Sequence, residues 1–188
     1  ANVFMAYENN AKNIVIMKPN IVGLKKFSLA VVPHHDRPQS RHNVVETVLA
    51  PNLIDGETLR QQGARLRQNI NLGKGPAVGL LMGGDNPDFT FTKEAAGKVA
   101  LGILEFCKLH DGEFLATTSR RTPKAVEAVA KERLATSRLC KFMVIANERN
   151  VAGAVAGILD LSTIVVVSGE SVSMVSEAIA SGKKVVVF

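Results

Sequence analysis

Four short stretches of this chain carry residue types that can do chemistry. The first is Ser168-Gly169-Glu170-Ser171-Val172-Ser173, followed four residues later by Glu177. A Ser/Gly turn that opens a helix presents unpaired backbone N–H groups and hydroxyls at the positive end of the helix dipole, where an anion binds. Glu177, one turn further along, can accept hydrogen bonds from two ribose hydroxyls. The stretch therefore reads as a diphosphate cradle with a ribose clamp. It also reads as a plain helix cap made by Ser171 and Ser173, with Glu177 solvated. A third reading, the GxSxG nucleophile elbow of a hydrolase, is weaker. Ser173 stands where the last glycine belongs, and no Asp or His follows Ser171.

The second stretch is Gly83-Gly84-Asp85-Asn86, where two glycines let a backbone approach a ligand closely or simply turn the chain. The third, Ser119-Arg120-Arg121-Thr122, offers two fixed charges that pair bidentately with phosphate, or one solvated arginine and one in a salt bridge. The fourth is His34-His35-Asp36. Neighbours in an extended segment point to opposite faces, so the three cannot share one metal ion without a sharp turn. No metal set is assigned. A structural or domain-junction role is favoured, and His35 and Asp36 are the only visible candidates for a catalytic base.

The elements that must position these residues follow from the patterning. Short β-branched runs at 13–17 and 28–32 read as strands, and 41–75 as irregular apart from a short helix at 56–69. From Pro76 onward strands and helices alternate. Strands are expected at 77–82, 113–117, 142–146, 162–167 and 185–188. Helices are expected from Thr92 to about His110, from Pro123 to about Leu134, over 151–160, and over 171–181 with Gly182 as its stop. Alternation of this kind means a parallel sheet with right-handed crossovers, and ligands bind beyond the carboxyl ends of its strands. The fold class expected is α/β, a Rossmann-like parallel sheet with helices on both faces. The first two strands lack partners for a sheet of their own. Residues 1–50 then read as the tail and linker of an N-terminal Rossmann-like domain, and residues 51–188 as a truncated C-terminal nucleotide-binding domain. A single mixed domain using all seven strands is the alternative.

Composition excludes several classes. With 46% hydrophobic and 21% charged residues, the chain is neither disordered nor a coiled coil. Its two cysteines, Cys107 and Cys140, offer no disulfide framework and no zinc knuckle, which suits a reducing, cytoplasmic setting. The longest apolar stretch, 151–159, is far short of a bilayer span. The net charge is +6, and it is uneven: residues 1–75 carry ten Lys/Arg against five Asp/Glu, residues 76–188 thirteen against twelve. A basic surplus attracts phosphates or an anionic membrane surface. One Tyr and no Trp disfavour a stacking nucleic-acid surface. Neither GxxxxGK[ST] nor a strand-following GxGxxG is present, which disfavours a P-loop kinase and a nicotinamide dehydrogenase.

The runs GLLMGGDNPDFTFT, ATTSRRTP and SGESVSMVSEAIASGKKVVVF, with VVPHHDRP…RHNVVETVLAPNLI upstream, make residues 27–188 similar to the mitochondrial fission elongated-mitochondria family. Leu49 departs from it where the family pattern usually has Gly. Bacterial members are often labelled nucleoside-diphosphate-sugar epimerases, and the family resembles the C-terminal half of GT-B glycosyltransferases. The resemblance implies a nucleotide-sugar cleft in which Gly83 and Gly84 meet the diphosphate, Ser171 to Ser173 hold it, and Glu177 takes the ribose. The expected nucleotide- and diphosphate-binding set is Gly83, Gly84, Asp85, Ser119, Arg120, Arg121, Ser168, Gly169, Ser171, Ser173 and Glu177. The function expected is a glycosyltransferase peripheral at the inner membrane, with a nucleotide-sugar or nucleoside diphosphate as substrate and no cofactor. The alternatives are a non-catalytic adaptor that recruits partners to membranes, and a sugar epimerase using Asp85 and Glu170. An exposed final strand invites self-association.

Overall fold

A computed structural model describes all 188 residues, Ala1–Phe188. The chain divides into two compact units, Ala1–Asn52 and Leu53–Phe188.

The first unit holds helix α1 (Asn2–Glu8) and three parallel strands, β1 (Ile14–Ile16), β2 (Leu29–Pro33) and β3 (Val44–Thr47), in the order β1-β2-β3. Strand β3 corrects the irregular assignment of this segment and supplies the missing partner. Its Val44-Val45-Glu46-Thr47 run is too short and too polar to stand out, yet Val44 pairs with Ala30 and Val45 with Val31. The sequence patterning assigns no element to residues 2–8, where the structure has α1 with no side-chain cap. The centre of the sheet is β2, where Ala30 and Val32 are fully buried.

Two buried asparagines hold the crossover between β1 and β2 against the sheet. Asn13 Oδ1 accepts from the Ser28 N–H at 2.7 Å, and its amide nitrogen donates to the Lys26 carbonyl at 3.2 Å. The Asn43 amide donates to the carbonyls of Leu24 (3.0 Å) and Phe27 (2.7 Å). His34–Asp36 forms one 3-10 turn rather than an extended segment, and Arg37 closes it in the left-handed region at φ 46°.

The second unit opens with α2 (Gly56–Arg67), started by Asp55, whose carboxylate accepts from the Thr58 N–H. That hydrogen bond also holds the Asp55 pKa below its ordinary value. Five parallel strands follow: β4 (Ala77–Met82), β5 (Glu113–Thr118), β6 (Cys140–Val144), β7 (Ile164–Val167) and β8 (Lys184–Val187). They lie in the order β6-β5-β4-β7-β8. The helices are α3 (Lys93–Leu109), α4 (Lys124–Val129), α5 (Ala154–Leu161) and α6 (Val172–Ala180). Thr92 starts α3 by accepting from the Ala95 N–H, and Gly182 closes the stretch after α6 at φ 70°. Helix α4 runs on as a π-helical segment, Ala130–Ala135, where the sequence suggested one uniform helix.

Both faces of this sheet are packed. Alternate residues of β4 serve opposite sides, as the pleat requires. Val78, Leu80 and Met82 pack with Ala96, Ala100, Ile103 and Cys107 of α3. Leu81 packs with the residues of α2 and α5, among them Leu59 and Ile158. Burying a side chain as completely as Leu80 or Phe114 contributes roughly 1.5–3 kcal/mol relative to exposure. The unit is thus a Rossmann-like α/β sheet with helices on both faces.

The strand order makes one place special. The chain leaves β4 toward β5 on one side, and β7 lies against β4 on the other. The connections diverge there, and the region beyond the carboxyl ends of β4 and β7 is the topological switch point.

Candidate functional site

The turns that end β4 and β7 are hydrogen-bonded to each other. The Gly83 N–H donates to Ser168 Oγ at 2.6 Å, and the Gly84 N–H donates to Glu170 Oε1 at 2.7 Å. Ser168 is almost wholly buried and donates to the same carboxylate oxygen at 3.0 Å. The Asn86 amide donates to the Glu170 carbonyl at 3.3 Å. The two amides that the sequence suggested for a ligand's diphosphate are therefore engaged by the protein's own carboxylate and hydroxyl. The glycines are needed for this closure. A Cβ at Gly83 would overlap Glu170 Oε1, and one at Gly84 would overlap the backbone of Arg121.

The turn after β5 joins the same network. Thr122 Oγ1 donates to the Gly83 carbonyl and accepts from the Ser119 N–H. The Asp85 N–H donates to the Arg121 carbonyl at 3.2 Å, and the Arg121 guanidinium returns a bond to the Asp85 carbonyl at 3.1 Å. The Asp85 carboxylate is turned back onto its own loop, where it accepts from the Phe91 N–H at 2.7 Å. Arg120 is exposed and makes no ion pair.

At the start of α6, Ser171 is buried but its side chain does not cap the helix. The Gly169 N–H donates to the Phe188 carbonyl at the end of β8. Ser173 is exposed on the first turn, and Glu177 is half-buried one turn later. Burial pushes the Glu177 carboxyl above its ordinary value. The plain-cap reading of Ser171 does not describe this geometry, and Glu177 is not simply solvated.

The structure thus brings Gly83, Gly84, Asp85, Ser119, Arg121, Ser168 and Glu170 into one bonded set at the strand ends. Arg120, Ser173 and Glu177 extend from the same strand ends. His35 and Asp36 belong to the first unit. There His34 Nδ1 pairs with Glu46 Oε1, and His35 Nε2 lies 3.6 Å from Asp36 Oδ1. No group of three or more His, Cys, Asp or Glu side chains is placed to hold a metal.

Sequence reasoning missed a buried acid. Glu127, on the first turn of α4, is buried and accepts from the Asn147 amide at 2.7 Å. Its position next to Val126, on the helix stripe that continues to Ala130, was the available signal. Both cysteines are free, and burial pushes each thiol up to about 11, so neither is a thiolate nucleophile at neutral pH. A cavity of about 530 Å³ lies away from the switch point, between α2 and the outer strand β6, with Arg65, Phe142, Arg149 and Gly153 in its walls.

Residues 4–188 match the model of the family described as Mitochondrial fission ELM1. A comparison with curated proteins finds no match. No helix is long and apolar enough to cross a membrane.

Proposed function

The chain belongs to the mitochondrial fission ELM1 family, and from that premise we propose that its second unit is a GT-B-like domain that takes the diphosphate of a nucleotide-sugar at the β4/β7 switch point. The observation that carries this reading is the placement of α6. Its N-terminus, Ser173 and the half-buried Glu177 all stand at the carboxyl end of a strand flanking the switch point.

In this reading the protein is a glycosyltransferase. As the bond between the sugar's anomeric carbon and the diphosphate breaks, negative charge collects on the departing diphosphate. The free N–H groups of α6's first turn, the Ser173 hydroxyl and the Arg120 and Arg121 guanidinium groups stabilise that charge. Glu177 accepts from the ribose hydroxyls. Burial disfavours the ionised form of Glu177, and two ribose donors would stabilise it.

The test is a thermal-shift titration with a panel of nucleoside diphosphates and their sugars. One nucleotide should give a saturable shift, and Glu177→Ala should weaken its binding at least tenfold, about 1.4 kcal/mol. Unchanged affinity in that variant sinks the ribose role, and no shift with any nucleotide sinks the whole reading.

A second reading rests on the Glu170 carboxylate, which occupies the glycine amides. A switch point closed by its own side chain suits a non-catalytic adaptor, and the same titration decides, because an adaptor gives no saturable nucleotide shift.

A further inference from the structure

The first unit contains a cavity of about 400 Å³, within the range of roughly 300–1,000 Å³ usual for small-molecule sites. Its walls come from the two crossovers, the one from β1 to β2 and the one from β2 to β3. Lys18 and Lys25 come from the first, Arg37 and Arg41 from the second. No carboxylate lines it, and none of the four cations takes part in an ion pair. Four uncompensated charges around one small concavity repel each other, and an anion placed among them relieves that repulsion. A divalent cation or a cationic ligand is excluded by the same arrangement.

The walls are also held in place. Asn13 and Asn43 fix the carbonyls of Leu24, Lys26 and Phe27 on either side of Lys25. Lys18 Nζ donates to the Asp36 carbonyl at 3.0 Å, which ties the first crossover to the second. Arg41 is braced by Gln39 Oε1 at 2.6 Å. Arg37 sits at φ 46° and ψ 63°, a left-handed conformation that costs energy for a residue with a Cβ. Such strain, kept at a residue whose charge lines a cavity, points to a use for that charge.

We propose that this cavity binds a phosphoryl group. Two guanidinium forks match the oxygens of a phosphate, and the two ammonium groups supply further charge for a doubly ionised oxyanion. The site lies wholly within the first unit and does not depend on the nucleotide reading of the second. A phosphoryl group can arrive on a soluble ligand or as a lipid headgroup. Ile21, in the loop between Lys18 and Lys25, is 96% exposed. That is an apolar contact which a lipid surface would use and a soluble phosphate would not.

The experiment uses the full chain carrying Arg120→Ala and Arg121→Ala, so that phosphate binding at the switch point is weakened. Isothermal titration with inorganic pyrophosphate is set beside sedimentation with phosphatidylcholine vesicles that contain phosphatidic acid. Saturable binding in either arm, weakened at least tenfold by Arg37→Ala with Arg41→Ala and also by Lys25→Gln, supports the site. Lys12→Ala, a lysine of the same unit that does not line the cavity, should leave it unchanged. Pyrophosphate binding identifies a soluble ligand. Binding to the acidic vesicles alone, lost in Ile21→Asp, identifies a headgroup. Circular dichroism confirms that each variant is folded. Absence of saturable binding in both arms overturns the proposal, as does equal weakening by Lys12→Ala.

Discussion

The two units hold parallel sheets by opposite means. In the second, apolar side chains close both faces of β4, and the polar groups gather at the strand ends. In the first, few large side chains are buried, and Ile14, Ile16, Val45 and Val48 are all at least half exposed. Order there rests on two asparagines that satisfy a crossover's backbone. Apolar burial is non-directional and tolerates adjustment, whereas an amide held by two bonds has one geometry. A lightly covered sheet can thus still present a well-positioned set of charges.

The largest effect is expected where the second unit is tightest. Gly84→Ala places a Cβ against the Arg121 backbone, which has no free rotation to give way. It should destabilise the second unit by on the order of 3 kcal/mol, read by urea denaturation. A cost below about 1 kcal/mol would mean that this turn can shift.

A smaller loss is expected from Asn43→Ala, about 2 kcal/mol, because two carbonyls lose their donor. Amide exchange should rise over residues 24–30 and stay unchanged in β4 and β5. If exchange rose equally in both units, the contrast between them would fail.

The smallest effect belongs to Glu177→Gln. The folded pKa of Glu177 is raised, so folding favours the protonated form. The stability this brings is full below the ordinary carboxyl value and is lost as pH rises through the raised one. Gln cannot ionise, so the variant should match the native chain at low pH and melt higher at neutral pH, by under about 2 °C. A lower melting point at neutral pH would contradict the desolvation of Glu177.

Much of the second unit was legible because its strands are continuous apolar runs, such as Ala77–Met82, and its helices carry caps such as Thr92. Strand β3 was not, since Val44 and Val45 are followed by Glu46 and an edge strand needs only one apolar side. The π-helical turn after Val129 has no signature in residue spacing. At the switch point the loops could be named from Gly83, Gly84 and Ser168. What could not be read was the direction of Glu170, because a side chain's rotamer follows from packing and not from its place in a motif. For Asp85 the same holds: its carboxylate faces Phe91.

Glu170 has a consequence for which ligands could ever reach Gly83 and Gly84. A carboxylate on a short tether acts like a competitor present at millimolar local concentration or more. Monovalent ions of the surrounding solution gain nothing by replacing it, since they offer no more charge than it does. Only a more highly charged or multidentate anion, bound at several points at once, can displace it. The chain therefore carries its own threshold of selectivity at the switch point, set before any ligand arrives.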